Sequence, residues 1–296
     1  LALVNNPKID SKIGINKIVK SITIANNKES ENIEPLIRLI RQYDKNTKIL
    51  VINDFSNDNT FEIINKIKDK NIEIIERKKK LGLGTAHLLS IFFAIKFNYD
   101  YLLTMDADFS HDPKHIPSLF SLSKKNSFII GSRYCPGGKT EYKGFRKIVS
   151  VMGNYVARKI LNINLKEITT YFRVYDVGLL KKLPFDELRA SGYSLGVKIV
   201  WFMKIMGAEL IETPIHFHDR NKGKSKIPKM QIFISALDLI LIKFNEVIKK
   251  RSFNDSNNTY KLEQECKICK YSYFSKFKKN VYRCLVCLKK EKIISK

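Results

Sequence analysis

Short apolar runs and longer segments with helical periodicity alternate along the first two-thirds of the chain. Five short runs rich in β-branched residues are predicted as strands at 21–25, 48–53, 72–76, 101–105 and 127–131. The segments between them carry helical patterns and are predicted as helices at 32–43, 60–68, 86–97 and 116–124. This alternation predicts an α/β fold in which helices cover both faces of a mainly parallel sheet.

The pattern continues after the fifth predicted strand. Residues 145–162 and 195–206 are predicted as helices, and residues 209–217 as a strand. Pro214 lies inside this last run and has no N–H to donate to a neighbouring strand. Its presence therefore predicts either a strand at the edge of the sheet or the end of a strand.

Residues 231–248 form a candidate helix that is apolar around most of its circumference, and the basic residues 249–251 follow it. Such a helix is typical of a membrane interface, while packing on the sheet or on another subunit is an equally good interpretation. The polar stretch that comes next is predicted to be a linker. The predicted units are a main domain at 1–230, this helix at 231–251, the linker at 252–259 and a small domain at 260–296.

The chain of 296 residues is strongly basic, with 54 Lys and Arg against 29 Asp and Glu and a formal net charge of +25. Such a charge favours anionic partners such as nucleic acid, lipid headgroups or phosphorylated substrates. The abundance of Lys, Asn and Ile also fits a base bias of the genome, so the charge alone selects no partner. There is neither an apolar run of 18 residues nor a secretory signal, so cytoplasmic residence is expected.

Four of the five cysteines occur near the C-terminus with the spacing Cys-x2-Cys-x14-Cys-x2-Cys. They are Cys266, Cys269, Cys284 and Cys287. This spacing is close to that of a four-thiolate zinc site, and it predicts a small zinc-ribbon-like domain with structural Zn²⁺. Disulfides are the competing interpretation, although no secretory context supports them. Cys135 lies apart from the four and is predicted to be an ordinary thiol.

Two carboxylates, Asp106 and Asp108, follow the apolar run 101–105 with one small residue between them. Side chains at positions i and i+2 of an extended backbone point the same way, so both carboxylates can reach one Mg²⁺ or Mn²⁺ ion. Such an ion suits a diphosphate leaving group. The alternative is a strand that ends in a turn, with Asp108 or Ser110 capping the next helix.

Further motifs accompany this carboxylate pair in a fixed order. They are 51–60, Gly82-Leu-Gly-Thr-Ala86, Met105-Asp-Ala-Asp108 with Ser110-His-Asp-Pro113, Gly131-Ser-Arg-Tyr134, 169–175 and 219–226. Over residues 20–230 the chain resembles the inverting family 2 glycosyltransferases of GT-A fold, and most closely their dolichol-phosphate mannose synthase branch. The zinc-ribbon-like tail lies outside that resemblance.

The resemblance implies roles for individual positions. Glu29 and Asp54 would lie beside the nucleotide of a nucleotide-sugar donor. Asp106 and Asp108 would hold Mg²⁺ or Mn²⁺ on the donor diphosphate, and Ser110 occupies a position that often completes the metal ligands. The resemblance also implies a set of basic residues that meet donor or acceptor phosphates, and these are Arg133, Arg220 and Lys226. Of all these positions, Asp108, Arg133 and Arg220 are the candidate catalytic residues.

Several other residues are weak signals. Gly82 and Gly84 match the first two glycines of a dinucleotide fingerprint, but the third small residue is replaced by His87. The two glycines are therefore expected to form a tight loop at the start of a helix. His111 and His115 are expected to cap a helix or lie on the surface, and the late histidines 216 and 218 suggest no role.

Three departures from the family pattern indicate a divergent branch. Residues 25–29 read Ala-Asn-Asn-Lys-Glu where the family has Pro-Thr-Tyr-Asn-Glu, and residues 53–56 read Asn-Asp-Phe-Ser in place of Asp-Asp-Gly-Ser. Lys198 stands where relatives commonly carry Glu.

The resemblance therefore predicts metal-dependent, inverting transfer of a hexose, mannose or glucose, from a nucleotide-sugar to a polyprenyl phosphate. The enzyme would be a peripheral protein at the cytosolic face of a membrane, and the zinc tail would bind a protein partner in preference to nucleic acid. One alternative is a family 2 transferase that acts on a sugar hydroxyl and needs a carboxylate base. Another is a degraded transferase that serves as a binding module.

Overall fold

A computed structural model describes residues 18–77, 79–185, 188 and 194–219, together with the backbone of four short strands near the C-terminus. In the main domain the strands are β1 (Lys20–Asn26), β2 (Lys48–Asn53), β3 (Ile72–Glu76), β4 (Tyr101–Asp106), β5 (Ser127–Ser132), β6 (Lys139–Thr140), β7 (Arg173–Asp176), β8 (Glu209–Pro214) and β9 (His216–Phe217). The helices are α1 (Ser30–Tyr43), α2 (Thr60–Lys66), α3 (Leu83–Lys96), α4 (Ile116–Ser121), α5 (Gly144–Ile160), α6 (Val177–Leu180) and α7 (Ser194–Ile205), and a 3-10 turn covers Pro113–His115.

Seven strands form one twisted sheet in the order β3-β2-β1-β4-β7-β5-β8. All neighbouring pairs are parallel except those of β7, which runs antiparallel between β4 and β5. The predicted mainly parallel sheet is thus confirmed. The ends of the first six predicted helices and of the first five predicted strands agree with the observed ones to within three residues.

Both faces of the sheet are covered, as the sequence predicts, because successive side chains of each central strand point to opposite faces. Leu50 of β2 belongs to the core that packs on α3 and α7, while its neighbour Val51 belongs to the core that packs on α1 and α4. In β4 the same alternation places Leu102 in the first core and Leu103 in the second. Each central strand therefore contributes to two hydrophobic layers.

The late strand predicted at 209–217 is divided into two. β8 is an edge strand of the large sheet and ends at Pro214, which confirms both expectations for that residue. Beyond Pro214 the chain leaves the large sheet, and β9 pairs with β6 as a separate two-stranded sheet in which Lys139 faces His216. A single strand was the wrong prediction here, because Pro lacks the N–H that would continue the pairing.

Strand β7 is missing from the predicted elements. Its first residue, Arg173, is fully buried. Because a charged residue interrupts the apolar run that marks a buried strand, the sequence pattern did not predict β7. The guanidinium is satisfied by main-chain carbonyls, to which it donates from Nη1 to Gly196 and from Nη2 to Ile168, at 2.8 and 3.0 Å. Hydrogen bonds of this kind allow a buried charge inside a sheet.

The C-terminal strands form a four-stranded antiparallel sheet in the order β10-β11-β12-β13. They are β10 (Thr259–Lys261), β11 (Tyr273–Lys278), β12 (Val281–Cys284) and β13 (Lys290–Lys292). Cys284 is the last residue of β12, and Cys266, Cys269 and Cys287 lie outside the described residues. The candidate helix at 231–248 also lies outside them. In the part of the chain that the structure describes, no helix is both long and apolar enough to cross a membrane.

Candidate active site at the carboxyl edge of the sheet

The carboxyl ends of the parallel strands meet at one edge of the large sheet, where ligands of open α/β folds bind. The last residues of four such strands are Asn26, Asn53, Asp106 and Ser132. The amide Nδ2 of Asn26 donates to Oδ1 of Asn53 at 3.0 Å, and both side chains are buried. The predicted site residues Asp54, Asp106 and Arg133 are the last residue of a strand or follow one directly, so the fold brings them to the same edge.

Asp106, Asp108 and Ser110 form an all-oxygen group on the loop that follows β4. The strand ends at Asp106, and Asp108 lies in a bend in which Phe109 has φ 60°, so the extended i, i+2 geometry expected from the sequence stops at Asp106. Ser110 Oγ donates to Asp108 Oδ1 at 2.5 Å. Asp108 and Ser110 are buried, while the Asp106 side chain is 24% exposed. Two carboxylates and a hydroxyl are the ligands that Mg²⁺ and Mn²⁺ prefer, so this group fits such an ion.

The alternative of helix capping by Asp108 or Ser110 is wrong. Asp112 caps the 3-10 turn, because its side chain accepts a hydrogen bond from Lys114 N at 3.0 Å. The Ser110 hydroxyl instead donates to the Asp108 carboxylate, so these two side chains bind each other within the loop.

His111 is buried, contrary to the expectation that it caps a helix or lies on the surface. Its Nδ1 accepts a hydrogen bond from Asp106 N at 3.0 Å, and its ring stacks on Phe172 at 5.0 Å between centroids. Burial lowers the pKa of His111 to about 4, so the imidazole is neutral and can accept this bond. The ring therefore fixes the backbone at the point where β4 becomes the Asp106–Ser110 loop.

Asp54 is buried and holds the loop at the start of α3. Its carboxylate accepts hydrogen bonds from Arg77 at 2.9 Å and from the backbone N–H groups of Leu81 and Gly82 at 2.9 and 2.7 Å. Gly82 has φ 89°, a conformation that favours glycine, which agrees with the tight loop expected there. Glu29, the other predicted nucleotide residue, precedes α1 and accepts from Asn32 Nδ2 at 2.7 Å.

His87 occupies the position that a dinucleotide fingerprint reserves for a small residue, and it belongs to the core. Its ring stacks on Tyr171 at 3.7 Å between centroids and 2° between planes. Burial and the nearby charge of Arg173 hold the pKa of His87 well below its usual value. A buried imidazole therefore stands where the fingerprint needs a small residue for close packing of the helix on the strand.

Arg133 follows β5 and is held by a buried acid that the sequence did not single out. Its Nε donates to Glu167 Oε2 at 2.6 Å, and its Nη2 donates to Thr169 Oγ1 at 2.9 Å. Burial alone would raise the pKa of Glu167, but the charge of Arg133 and hydrogen bonds from Thr169 outweigh it and hold that pKa below its usual range. The two partners are 34 positions apart in the sequence, which explains why no local pattern reveals the pair.

A pocket of about 430 Å³ opens beside Arg133. Besides glycine, it is lined by Arg133, Tyr134, Lys139, Thr140, Lys147 and His216. We call it the basic pocket, because three of these residues are Lys or Arg. Lys147 belongs to the first half of α5, and Lys139 belongs to β6.

The sequence missed Lys139 and Lys147, since lysines are common throughout this chain and no motif marks these two. Lys198, the other cation that the sequence singled out, is half-buried in α7. Arg220 and Lys226 lie outside the described residues, so their predicted roles at a phosphate stay predictions. Asp219, the last residue described before them, pairs with Arg146 of α5 at 2.7 Å.

An exposed apolar surface lies along α5, whose first half also contributes Lys147 to the basic pocket. The side chains that form it are Phe145, Ile148, Val151, Met152, Tyr155 and Val156. Phe145 is 80% exposed and Ile148 60%. We call these six residues the α5 apolar face. Lys143, Arg146, Arg158 and Lys159 lie at the two ends of the same helix, and no acidic residue occurs in its first turn.

Comparison with known proteins identifies the fold and the family. The model of the glycosyl transferase family 2 matches residues 21–184. The undecaprenyl-phosphate mannosyltransferase of Micrococcus luteus is 31% identical over 202 residues, which cover 67% of this chain and 83% of that protein. The polyprenol monophosphomannose synthase of Mycolicibacterium smegmatis is 29% identical over 204 residues, which cover 67% and 77%.

Solved structures with the same fold come from enzymes with low sequence identity to this chain. Glucosyl-3-phosphoglycerate synthase from Mycobacterium tuberculosis superposes with a TM-score of 0.56 at 17% identity, covering 83% of this chain and 84% of that one. Mannosyl-3-phosphoglycerate synthase from Rubrobacter xylanophilus gives 0.55 at 12% identity, covering 88% and 87%. One structure of the M. tuberculosis enzyme contains Mn²⁺ and uridine diphosphate.

The parallel sheet, the carboxylate pair at its carboxyl edge and the family match over more than half of the sequence lead to one conclusion. This chain is a glycosyltransferase and belongs to glycosyl transferase family 2.

Proposed function

We propose that this glycosyltransferase transfers a hexose, with mannose as the first candidate, from a nucleotide-sugar to a polyprenyl phosphate at the cytosolic face of a membrane. The names of the two bacterial relatives, a mannosyltransferase and a monophosphomannose synthase, both specify a polyprenyl-type phosphate. The observation that carries the proposal is that α5 contributes both to the basic pocket and to the α5 apolar face. An amphiphilic acceptor needs these two surfaces side by side.

Asp106, Asp108 and Ser110 would hold Mg²⁺ or Mn²⁺ against the donor diphosphate. When bound, such an ion neutralises negative charge on the leaving nucleoside diphosphate. The chain itself contributes the placement of these ligands, because His111 fixes the backbone of Asp106 and Ser110 fixes the carboxylate of Asp108. Glu29 and Asp54 are proposed to lie beside the nucleotide.

The basic pocket is proposed to receive the acceptor phosphate. A phosphate oxygen then forms a bond to the anomeric carbon, the bond from that carbon to the donor phosphate breaks, and the nucleoside diphosphate leaves with the electron pair. Since the attacking oxygen is already anionic near neutral pH, positioning by Lys139, Lys147 and Arg133 matters more than a strong base. Arg220 and Lys226 would add to this cationic environment.

The isoprenoid chain is proposed to lie on the α5 apolar face, which would also rest against the membrane. Interfacial helices combine an apolar face with basic residues, as α5 does. The helix predicted at 231–251 would add a second contact with the membrane. Each basic residue near an anionic surface contributes about 1 kcal/mol.

Transfer to a sugar hydroxyl is the second candidate, and it requires a general base near the acceptor. Among the described residues that line the basic pocket there is no carboxylate. The three basic residues of the lining favour a phosphate acceptor over a neutral hydroxyl acceptor. A catalytically degraded binding module is disfavoured because the family model matches residues 21–184 and the carboxylate pair is present.

The C-terminal sheet is proposed to be a zinc-ribbon-like domain in which Cys266, Cys269, Cys284 and Cys287 bind one structural Zn²⁺. Its antiparallel strands are compatible with such a domain. In the sequence, the first cysteine pair precedes the β11–β12 hairpin, and the second pair begins at Cys284, the last residue of β12. We propose a protein as the partner of this domain, because the main domain supplies the surfaces for donor and acceptor.

The test is an acceptor panel with purified full-length protein and a set of nucleotide-sugars. Polyprenyl phosphate should accept the hexose, whereas dephosphorylated polyprenol and simple sugars should not. Lys147→Ala should raise the KM for polyprenyl phosphate at least about tenfold, with the donor KM unchanged, since one charge-assisted contact contributes roughly 1.5–3 kcal/mol. Equal transfer to the neutral alcohol would overturn the proposal and favour the hydroxyl-acceptor candidate.

A further inference from the structure

Three side chains from two neighbouring segments converge beside the basic pocket. β6 and β9 pair so that Lys139 faces His216, which brings Glu141, just after β6, next to His216 and His218. Glu141 Oε1 lies 2.8 Å from His218 Nδ1 and 3.5 Å from His216 Nε2. The two imidazole rings are 4.2 Å apart between centroids. One ligand atom from each of the three residues therefore lies within 4.8 Å of the other two.

The backbone around these side chains is held by further contacts. His216 N donates to His115 Nε2 at 3.0 Å, and His218 N donates to Ser110 O at 3.3 Å. Glu141 Oε2 accepts from Asp219 N at 2.9 Å. The three side chains are thus positioned by segments that come from distant parts of the sequence.

The chemistry of this group differs from that of the Asp106–Ser110 loop. Two imidazole nitrogens and one carboxylate suit borderline divalent transition metals such as Zn²⁺, whereas Mg²⁺ prefers oxygen ligands. The side chains are 33 to 43% exposed, so an ion can enter from solvent. Hydrogen bonds from Asp219 N and His218 keep the pKa of Glu141 below its usual value, which leaves the carboxylate ionised at neutral pH.

We propose that Glu141, His216 and His218 form a binding site for a transition-metal ion of the Zn²⁺ class, separate from the predicted Mg²⁺ or Mn²⁺ site. Three protein ligands leave one position of a tetrahedral ion for water or an anion. Because His216 also lines the basic pocket, the bound ion lies at the rim of that pocket. The ion would join β6 to β9 and so fix that rim.

The charged neighbours of the site are compatible with a cation. Asp112 Oδ2 lies 3.5 Å from His218 Nε2, and Lys114 pairs with that same carboxylate oxygen at 2.7 Å. Arg146 pairs with Asp219 at 2.7 Å. Each of these two cations therefore has its own carboxylate partner, distinct from Glu141.

The test is a titration of the whole protein with Zn²⁺, measured by isothermal titration calorimetry. Excess Mg²⁺ is present to fill the predicted oxygen site formed by Asp106, Asp108 and Ser110. The double variant His216→Ala with His218→Ala should bind one equivalent of Zn²⁺ less than the wild type. His115→Gln is the matched control: it alters a neighbouring imidazole, retains an acceptor for His216 N, and should bind as much Zn²⁺ as the wild type. Equal stoichiometry for the wild type and the double variant would overturn the proposal.

Two further measurements keep the result unambiguous. The double variant Asp106→Asn with Asp108→Asn should still bind the equivalent of Zn²⁺ that the histidine double variant loses. If the aspartate variant also binds one equivalent less, the ion belongs to the aspartate loop instead. In the wild type, Zn²⁺ should shift the imidazole nitrogen NMR signals of His216 and His218. Unchanged signals at saturating Zn²⁺ would also reject the site, even if the double variant failed to fold.

Discussion

At the scale of single residues, Asp108 has the environment of a preorganised ligand. Its side chain is buried, and its Oδ1 accepts from both the hydroxyl and the backbone N–H of Ser110, at 2.5 and 3.2 Å. A carboxylate held in this way loses little conformational freedom when it binds a cation. Preorganised ligands of this kind are what an electrostatic role in catalysis requires.

Asp108→Asn should lower turnover about 100-fold, because it removes roughly 3 kcal/mol of transition-state stabilisation by the proposed metal ion. The amide keeps the shape of the side chain and can still accept from Ser110, so the fold should survive. Initial rates over a range of Mn²⁺ concentrations measure the effect. Asp112→Asn, which retains a good helix cap in the same loop, is the control. Unchanged activity that resists EDTA would refute the assignment.

The buried pair of Arg133 and Glu167 should be essential for stability. Glu167→Gln leaves the guanidinium buried without a counter-charge, which costs about 3–5 kcal/mol in the free energy of unfolding. Urea denaturation at neutral pH measures this cost. Glu34→Gln, which breaks the exposed pair with Arg38, should cost no more than about 0.5 kcal/mol and is the matched control.

The same pair gives a pH dependence with a defined sign. The folded pKa of Glu167 lies below its unfolded value, which is about 4.3, so the stabilisation is fully present above that value. The stabilisation is lost as the pH falls through the folded pKa of Glu167. The difference in the free energy of unfolding between wild type and Glu167→Gln should shrink over that pH range. A difference that grows on acidification would contradict the ion pair.

At the scale of elements, α5 is unusual because so much of its apolar surface faces solvent. Only Asn154 and Ala157 of this helix are buried. A helix whose hydrophobic face lacks a core contact is stabilised by another apolar surface, such as a membrane or a lipid. Because α5 begins immediately after Lys143 and carries Lys147 into the basic pocket, contact with a membrane would place that pocket at the lipid headgroups.

Phe145→Ser combined with Ile148→Ser should weaken binding to anionic vesicles at least about tenfold. Each large apolar side chain contributes about 1.5–3 kcal/mol when it leaves water. Vesicle flotation measures the bound fraction, and assays with a nucleotide-sugar report whether donor binding is intact. Leu122→Ser, at the end of α4, removes a partly exposed apolar side chain elsewhere and serves as control. Equal flotation of all three proteins would exclude α5 as the membrane contact.

At the scale of the whole molecule, the chain combines a family 2 domain with a cysteine-containing β-sheet that the family match does not reach. The main domain supplies the carboxyl edge, the basic pocket and the α5 apolar face. The C-terminal sheet is small, and small domains commonly depend on a metal ion for stability.

Purified protein should contain about one tightly bound zinc per chain that survives exchange into zinc-free buffer, because four thiolates form a closed structural site. Cys284→Ser should remove this zinc and expose the C-terminal segment to proteolysis while the main domain stays folded. Elemental analysis and limited proteolysis measure the two effects. Cys135→Ser, which changes the cysteine of the main domain, should leave both unchanged. Zinc-free protein with a protease-resistant tail would disprove the site.

The sequence by itself determined the features that depend on local periodicity and on short motifs. Short apolar runs predicted the first five strands, since the central ones, such as β2 and β4, are buried on both faces and their side chains alternate between two cores. The pair Asp106 and Asp108 was found because the two residues lie two positions apart where a strand ends and its loop begins. These signals are contained within a few residues, so the sequence alone reveals them.

Only the tertiary structure decided the features that join distant segments. It placed β7 between β4 and β5, paired Arg133 with Glu167 across 34 positions, and brought Glu141 to His216 and His218. The sequence suggested no role for the two late histidines, because their partner follows a two-residue strand that no pattern predicts. Pairing between strands and the satisfaction of buried charges are long-range requirements, and they are met by whichever residues the completed fold brings together.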